Sequence, residues 1–373
     1  MTPVHIFLLN LPQIVRMAKE LKRDSSIDLM RFIGFTLIVL AHIGMSRQAG
    51  ESALFQLRSF DVPLMVFVSG LAFSGKDTGA YLPFIFKRTL RLLVPVYIFV
   101  TAYMLLNPVL ADLGWVEVYS PERMAGTYGL RLNPSIGYVW IIRVFLIVML
   151  VTPLLTALEK KIKRGWVLYA VVLLMLGVQT ALTSWLKSKG LDFFGKDWIM
   201  YLVKDWGLYI FGYSAVFTAG LRFKKAPLKE KFLVVGMFLA VVAASAWFAI
   251  EKHGTWLCFQ QYKYPPRLYF LSYGVLVSSF LWLTSKVWTK VMDNCLFTFI
   301  GRNTIWIYLW HIPFVNLVVS AKGYAAPFAD WSLVAKYAFV YLCALGMFGL
   351  QYWLVTLAER RWPKNIITKY FKG

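Results

Sequence analysis

Apolar runs long enough to cross a lipid bilayer recur along the whole chain, near residues 27–46, 59–75, 92–108, 137–157, 165–183, 199–220, 232–250, 267–285, 295–318 and 333–357. Short polar connections separate them. A helix needs about 20 mostly apolar residues to span the hydrocarbon. The pattern therefore predicts an all-α polytopic membrane protein with about ten transmembrane helices. The spans 59–75 and 92–108 are the shortest of the ten. No short-period repeat or low-complexity linker interrupts the series, so residues 25–373 are expected to form one transmembrane domain. Residues 1–24 precede it. They combine an apolar stretch broken by Pro12 with Arg16, Lys19, Lys22 and Arg23, and are expected to lie as a cytoplasmic amphipathic segment on the membrane surface. Without a basic leader before the apolar stretch, they do not read as a cleaved signal peptide.

Composition agrees with this reading. The chain is 59% hydrophobic and only 16% charged, with a mean hydropathy of +0.61. A net charge of +22 would suggest nucleic acid in a soluble protein. Here its distribution excludes that. With the N-terminus inside, 24 Lys and Arg fall in the connections and termini on the cytoplasmic side and 11 on the other. That asymmetry predicts both termini in the cytoplasm. Cys258, Cys295 and Cys343 suggest no disulfide framework, and His5, His42, His253 and His311 have no metal-ligand spacing, so no metal is expected.

Inside the first apolar run, Arg31 and His42 lie eleven positions apart. Eleven helical residues advance about 16 Å and make almost three full turns. The two side chains thus share a face, one towards each side of the membrane. Ionisable groups in a span usually mark a reaction or transport path. The competing reading has Arg31 reaching to the headgroups and His42 packing quietly. Near the same outer level, Asp61 opens the second span, where it either orients an imidazole or caps the helix.

Two further constellations stand out. Lys87, Arg88 and Arg91 fall on one helical face at the cytoplasmic start of the third span. Clustered cations suit phosphate groups, although simple positive-inside anchoring would use them too. The ninth run carries Gly301-Arg302-Asn303 and then Tyr308, His311 and Pro313. Arg302 is placed to face the same cavity as Arg31. Arg143, Lys204 and Asp205 add charges within spans. Outer loops rich in Trp and Tyr suit either sugar stacking or an interfacial belt. No GxSxG elbow, Walker loop or HExxH occurs, so serine hydrolase, ATP-driven pump and zincin lose support.

Together, Ile27-Asp-Leu-Met-Arg31 through Leu40-Ala-His42, Val66 to Phe73, Phe86 to Pro95 and Ile300 to Pro313 resemble the motifs of the acyltransferase family 3 membrane proteins. The likeness covers nearly the whole chain and is nearest to the sugar and exopolysaccharide O-acetylase branch. That branch often has His-Met-Pro where this chain has Asp61-Val62-Pro63. The resemblance implies transfer of an acyl group, usually acetyl from acetyl-CoA, to a hydroxyl of a surface or exported glycan or lipid-linked sugar. It further implies a bacterial cytoplasmic membrane and lipid neighbours, and the lipid-facing aromatic surface leaves room for a homodimer. On this reading His42 is the general base, helped by Arg31 and Asp61. Lys87, Arg88, Arg91 and Arg302 hold the CoA phosphates, and Arg143, Tyr308 and His311 bind the acceptor. A transporter or flippase for a glycan or lipid-linked precursor is the alternative class. A non-catalytic scaffold would not need so many intramembrane charges.

Overall fold

The computed structural model describes residues 24–45, 53–190, 197–320, 327, 328, 330–363, 368, 370 and 371. The amphipathic segment expected over 1–24 lies, apart from Asp24, outside the described residues.

Every regular element among these residues is helical. Helix α1 (Ser25–Leu40) is started by the Asp24 carboxylate, which accepts from the Ser26 amide at 3.2 Å, and runs into a π turn over Ala41–Met45. A 3-10 turn at Arg58–Phe60 leads into α2 (Asp61–Phe73). Then come α3 (Tyr81–Asp112), the short α4 (Pro121–Tyr128), α5 (Trp140–Lys161) and α6 (Gly165–Lys189). A second π turn, Leu202–Gly207, opens into α7 (Leu208–Phe223). The remainder is α8 (Leu228–His253), α9 (Leu268–Leu283), α10 (Ser285–Met292), α11 (Cys295–Arg302), α12 (Thr304–Ser320) and α13 (Leu333–Arg361).

Each of the ten apolar runs is largely helical over its described residues. Among the described residues seven helical segments are long and apolar enough to cross a membrane, and α9 with α10, bent by 72°, makes an eighth if counted as one span. The count of about ten is thus not reached by length and composition. The run near 199–220 carries Lys204 and Asp205 in its π turn. The run near 295–318 is broken at Asn303, leaving α12 with 17 residues. Helix α3, with 32 residues, is about 48 Å long against a hydrocarbon core of about 30 Å. Its first turns, with Lys87, Arg88 and Arg91, therefore extend into the interface.

Helices in lipid gain little from the hydrophobic effect, so close packing of small residues matters more. Helices α2 and α7 cross at two facing glycines. A Cβ on Gly70 would strike the Phe217 carbonyl, and one on Gly220 would strike the Phe67 carbonyl. Likewise α11 crosses α1 at Gly301, whose Cβ would collide with the Asp28 carbonyl. These two crossings clamp α1, α2, α7 and α11 into the centre of the bundle. Helices α8 and α13 lie outside it and expose Trp247, Phe248, Leu342 and Trp353, as lipid-facing helices do.

Replacing Gly220 by Ala forces the two backbones apart. Overpacking of this kind costs about 1–3 kcal/mol. Purified G220A should lose its folded, monodisperse peak at a lower temperature than the parent in a detergent thermal-stability assay, whereas Ala at Gly236, which faces open space, should leave the midpoint unchanged.

Candidate active site

One face of α1 carries both Arg31 and His42, and its lower half is organised by Asp28. This carboxylate is fully buried. Arg31 Nη1 donates to its Oδ1 at 3.3 Å and Arg302 Nε donates to its Oδ2 at 3.1 Å. An unpaired carboxylate in such a place would be costly, and two guanidinium groups satisfy it. Gly301 makes this possible by letting α11 approach the backbone of Asp28. Arg31 and Arg302 thus meet at one cavity, held by the same acid.

That cavity has a volume of about 400 Å³. Its polar walls come from Arg31, Lys76, Arg88, Arg91 and Arg302, and its apolar walls include Phe35, Ile38, Pro95, Ile141 and Phe145. Five cations around one mouth, with Asp28 the carboxylate that answers Arg31 and Arg302, leave a strongly positive field. Arg88 is held over the rings of Phe73 and Phe84, at 5.9 and 5.6 Å, which keeps its guanidinium in place without an acidic partner.

A second cavity of about 230 Å³ lies beyond it, lined by His42, Phe55, Arg58, Asp61, Trp140, Gln260, Lys263 and Tyr264. Ile38, Ile141 and Tyr308 belong to the walls of both cavities. The two spaces are therefore neighbours that meet at these three residues. Arg31 opens on the first and His42 on the second, at the two ends of one helix face.

His42 sits in the π turn that ends α1, a local widening common at functional sites. Its Nδ1 lies 2.9 Å from Nε2 of His311. The Nδ1 of His311 in turn contacts the Tyr308 carbonyl. A carbonyl can only accept, so His311 Nδ1 carries the hydrogen. In the neutral ring Nε2 then accepts, which makes His42 Nδ1 the donor. His42 Nε2 is left with a free lone pair. A backbone carbonyl thus sets the tautomer of His42 through an intervening ring. Tyr138 and Tyr308 frame the pair: the Tyr138 ring centroid is 4.7 Å from His42, and the Tyr308 hydroxyl donates to the Tyr138 carbonyl at 2.5 Å.

Asp61 was expected to hold the His42 imidazole. His311 occupies that position instead, and the carboxylate bonds Arg58 Nη1 at 2.5 Å and its own helix at the Val62 amide at 2.7 Å. It still lines the chamber of His42. His311, expected at the acceptor, is fully buried behind His42. Lys87 is exposed and is not among the walls of the cavity that Arg88 and Arg91 line. Lys76 takes that place, at the end of the turn after α2. Arg143 lines neither cavity. It is fully buried, pairs with Asp205 at 3.2 Å and donates to the Leu130 carbonyl at 3.0 Å, so it ties α5 to the π turn before α7.

Four members of the site were not singled out from sequence: Asp28, Lys76, Arg58 and Lys263. Asp28 stands one helical turn before Arg31, a visible pairing distance. Lys76 belongs to the same inner connection as Arg88. Nothing in the order of residues connects Lys263, in the loop after α8, with the first helix.

No curated protein and no solved structure matches the chain. The acyltransferase domain family does, over residues 24–350, from the cap of α1 to the middle of α13. With nearly the whole bundle matched, the chain belongs to the acyltransferase family 3 of membrane acyltransferases.

Proposed function

We propose that the protein transfers an acyl group, acetyl by preference, from acetyl-CoA to a hydroxyl of a surface or exported glycan, working in the bacterial cytoplasmic membrane. The observation that carries the reading is the pair of adjoining cavities, one basic and one containing His42, that share Ile38, Ile141 and Tyr308. The excess of 24 over 11 Lys and Arg would put the basic mouth on the cytoplasmic side, where CoA is.

On this reading Arg88, Arg91, Lys76 and Arg302 receive the CoA phosphates. Guanidinium groups suit phosphate oxygens because they donate in pairs. The slender pantetheine arm then runs along Phe35, Ile38, Ile141 and Phe145, which are apolar walls of the same cavity. Movement of Tyr308, Ile38 and Ile141 by a fraction of a side chain would admit the thioester to the chamber of His42. A sugar ring would enter the same chamber from the other side, against Trp140, Tyr264 and Phe55, and Gln260 would add a polar wall.

His42 Nε2 takes the acceptor hydroxyl proton as the oxygen attacks the thioester carbonyl. His311 steadies the ring by accepting from Nδ1. The proton then leaves with the CoA thiol. General-base assistance of this kind is worth about 10²–10⁴-fold. Arg31, expected to help His42, faces the basic cavity with Arg302, and both are bonded to Asp28, which suits the two to binding CoA.

Purified protein given labelled acetyl-CoA and acceptor should release CoA and label the acceptor. A transporter or flippase would release none. H42A should lose transfer by at least about 10²-fold while still reaching the membrane. H311A should lower kcat by roughly 10²-fold with little change in KM, because an imidazole without its orienting partner adopts the wrong tautomer for part of the time. R88A/R91A should raise KM for acetyl-CoA by about tenfold or more at nearly constant kcat, and K87A should change neither; equal effects of K87A and R88A/R91A would mean that the cations act only as membrane anchors.

A further inference from the structure

Resting on the reading that acylation occurs beside His42, we propose that Lys263 is a catalytic residue which stabilises the oxyanion formed when the acceptor hydroxyl attacks the thioester. The argument is one of position and of free donors. An oxyanion needs a hydrogen-bond donor about 3 Å from where the charge develops, so the donor has to line the chamber that His42 lines. The charged donors there are Arg58 and Lys263. Arg58 is held against Asp61 through Nη1 at 2.5 Å, so its charge is the one the carboxylate answers, although its buried Nε has no hydrogen-bond partner among the described residues. Lys263 Nζ stands 3.9 Å from Asp61 Oδ1, which is ion-pair range but too long for a hydrogen bond. Among the described residues no hydrogen bond ties its three N–H groups. Two cations against one carboxylate leave the chamber with one uncompensated positive charge, and that charge is on Lys263. Of the neutral donors, Gln260 gives one Nε2 hydrogen to Ser59 Oγ at 2.6 Å and Tyr308 gives its hydroxyl to the Tyr138 carbonyl at 2.5 Å, while Trp140 and Tyr264, which also line the chamber, bring no charge.

The loop holds Lys263 firmly. Its ammonium lies 5.3 Å from the Tyr264 ring and 5.9 Å from the Trp140 ring, and its side chain is buried. Gln260 anchors the loop to the turn before α2 through its amide, which donates to Gln56 Oε1 at 3.0 Å. The donor is thereby fixed before the charge appears, the condition under which such groups are most effective.

The step balances as follows. His42 Nε2 accepts the hydroxyl proton, the acceptor oxygen bonds to the carbonyl carbon, and the carbonyl π electrons pass to its oxygen, opposite Lys263. When the tetrahedral adduct collapses, the C–S bond breaks, and the CoA sulfur takes the proton back from the His42 imidazolium. Lys263 remains protonated throughout. The groups facing it are Asp61, Arg58, His42, Tyr264 and Tyr308. Burial pushes its ammonium down to about 8, partly opposed by the Asp61 carboxylate. A folded-state value below the ordinary one means that the charge is present below about pH 8 and is lost as pH rises through it.

The test measures the pH profile of kcat, with acetyl-CoA as donor, for wild type, K263M and K263R in detergent. Wild-type kcat should fall above about pH 8. K263M should lower kcat by about 10²-fold with KM for acetyl-CoA within about twofold. K263R should recover most of that loss and carry no fall near pH 8, because a guanidinium stays charged. Wild-type kcat in K263M, or an unchanged alkaline fall in K263R, would overturn the assignment. Should K263M fail to fold, the profile of K263R decides alone. If wild type releases no CoA from acetyl-CoA, the reading of CoA-dependent transfer falls, and Lys263 with it; if wild type transfers and the variants contradict, only the role of Lys263 falls.

Discussion

The hydrogen bond between the two imidazoles governs what the rest of the bundle has to provide. In a medium with little water, a histidine ring is useful as a base only if one nitrogen is satisfied and the other is open to the reactant. His42 Nδ1 and His311 Nε2, 2.9 Å apart, meet that condition without bringing a charge into the bundle. A carboxylate in place of His311 would orient the ring equally well but would add a buried anion at the bundle centre. The chain instead ends the relay on the Tyr308 carbonyl, a group already present in α12. That arrangement fixes several other features. Helix α12 has to lie beside the end of α1, the π turn has to present His42 towards it, and Gly301 has to let α11 close on Asp28 just below.

Charge is handled differently at the two ends of α1. At the basic cavity Asp28 serves Arg31 and Arg302 together, while Arg88 and Arg91 have no acid among the walls. The surplus there is large, at an open mouth where solvent and an anionic ligand can answer it. In the outer chamber Asp61 balances Arg58, and a single ammonium is left over. A small surplus is what an enclosed space tolerates, because each unpaired charge there loses its hydration. The first end is suited to grip a polyanion and the second to meet one transient charge.

Much of this was legible in the chain, because it depends on local period. The spacing of Arg31 and His42 reports one helix face, and that face does run from one cavity to the other. The helical class follows from the apolar runs. Arg302 could be placed with Arg31 because both stand near the same end of their spans. What could not be read is pairing between distant segments. His42 and His311 lie 269 positions apart, and nothing in either motif shows that the rings meet. Asp61 took the orienting role in the sequence reading because it stands at the right depth on the neighbouring helix; Arg58, one turn earlier, claims it. Lys87 and Arg88 stand side by side in one basic run, yet of the two only Arg88 lines the cavity. Arg143 read as a binding group since a buried charge is rare, and its partner Asp205 is hidden in a π turn that no composition rule foretells.

The partition of Ile38, Ile141 and Tyr308 has a consequence for the order of events. On the proposed reading, water that reached the thioester from the basic mouth would compete with the acceptor for the acyl group. Two aliphatic side chains and an aromatic ring, with its hydroxyl tied to the Tyr138 carbonyl, stand where the linings of the two cavities meet. Because Tyr308 also supplies the carbonyl that sets the His311 ring, the residue that limits entry to the chamber and the residue that tunes its base are the same. A shift of α12 large enough to open the partition would disturb the imidazole pair as well. On the proposed reading, arrival of the acyl arm and readiness of His42 would therefore be coupled through one turn of helix, so that the cavity proposed to bind CoA would influence the chamber of His42.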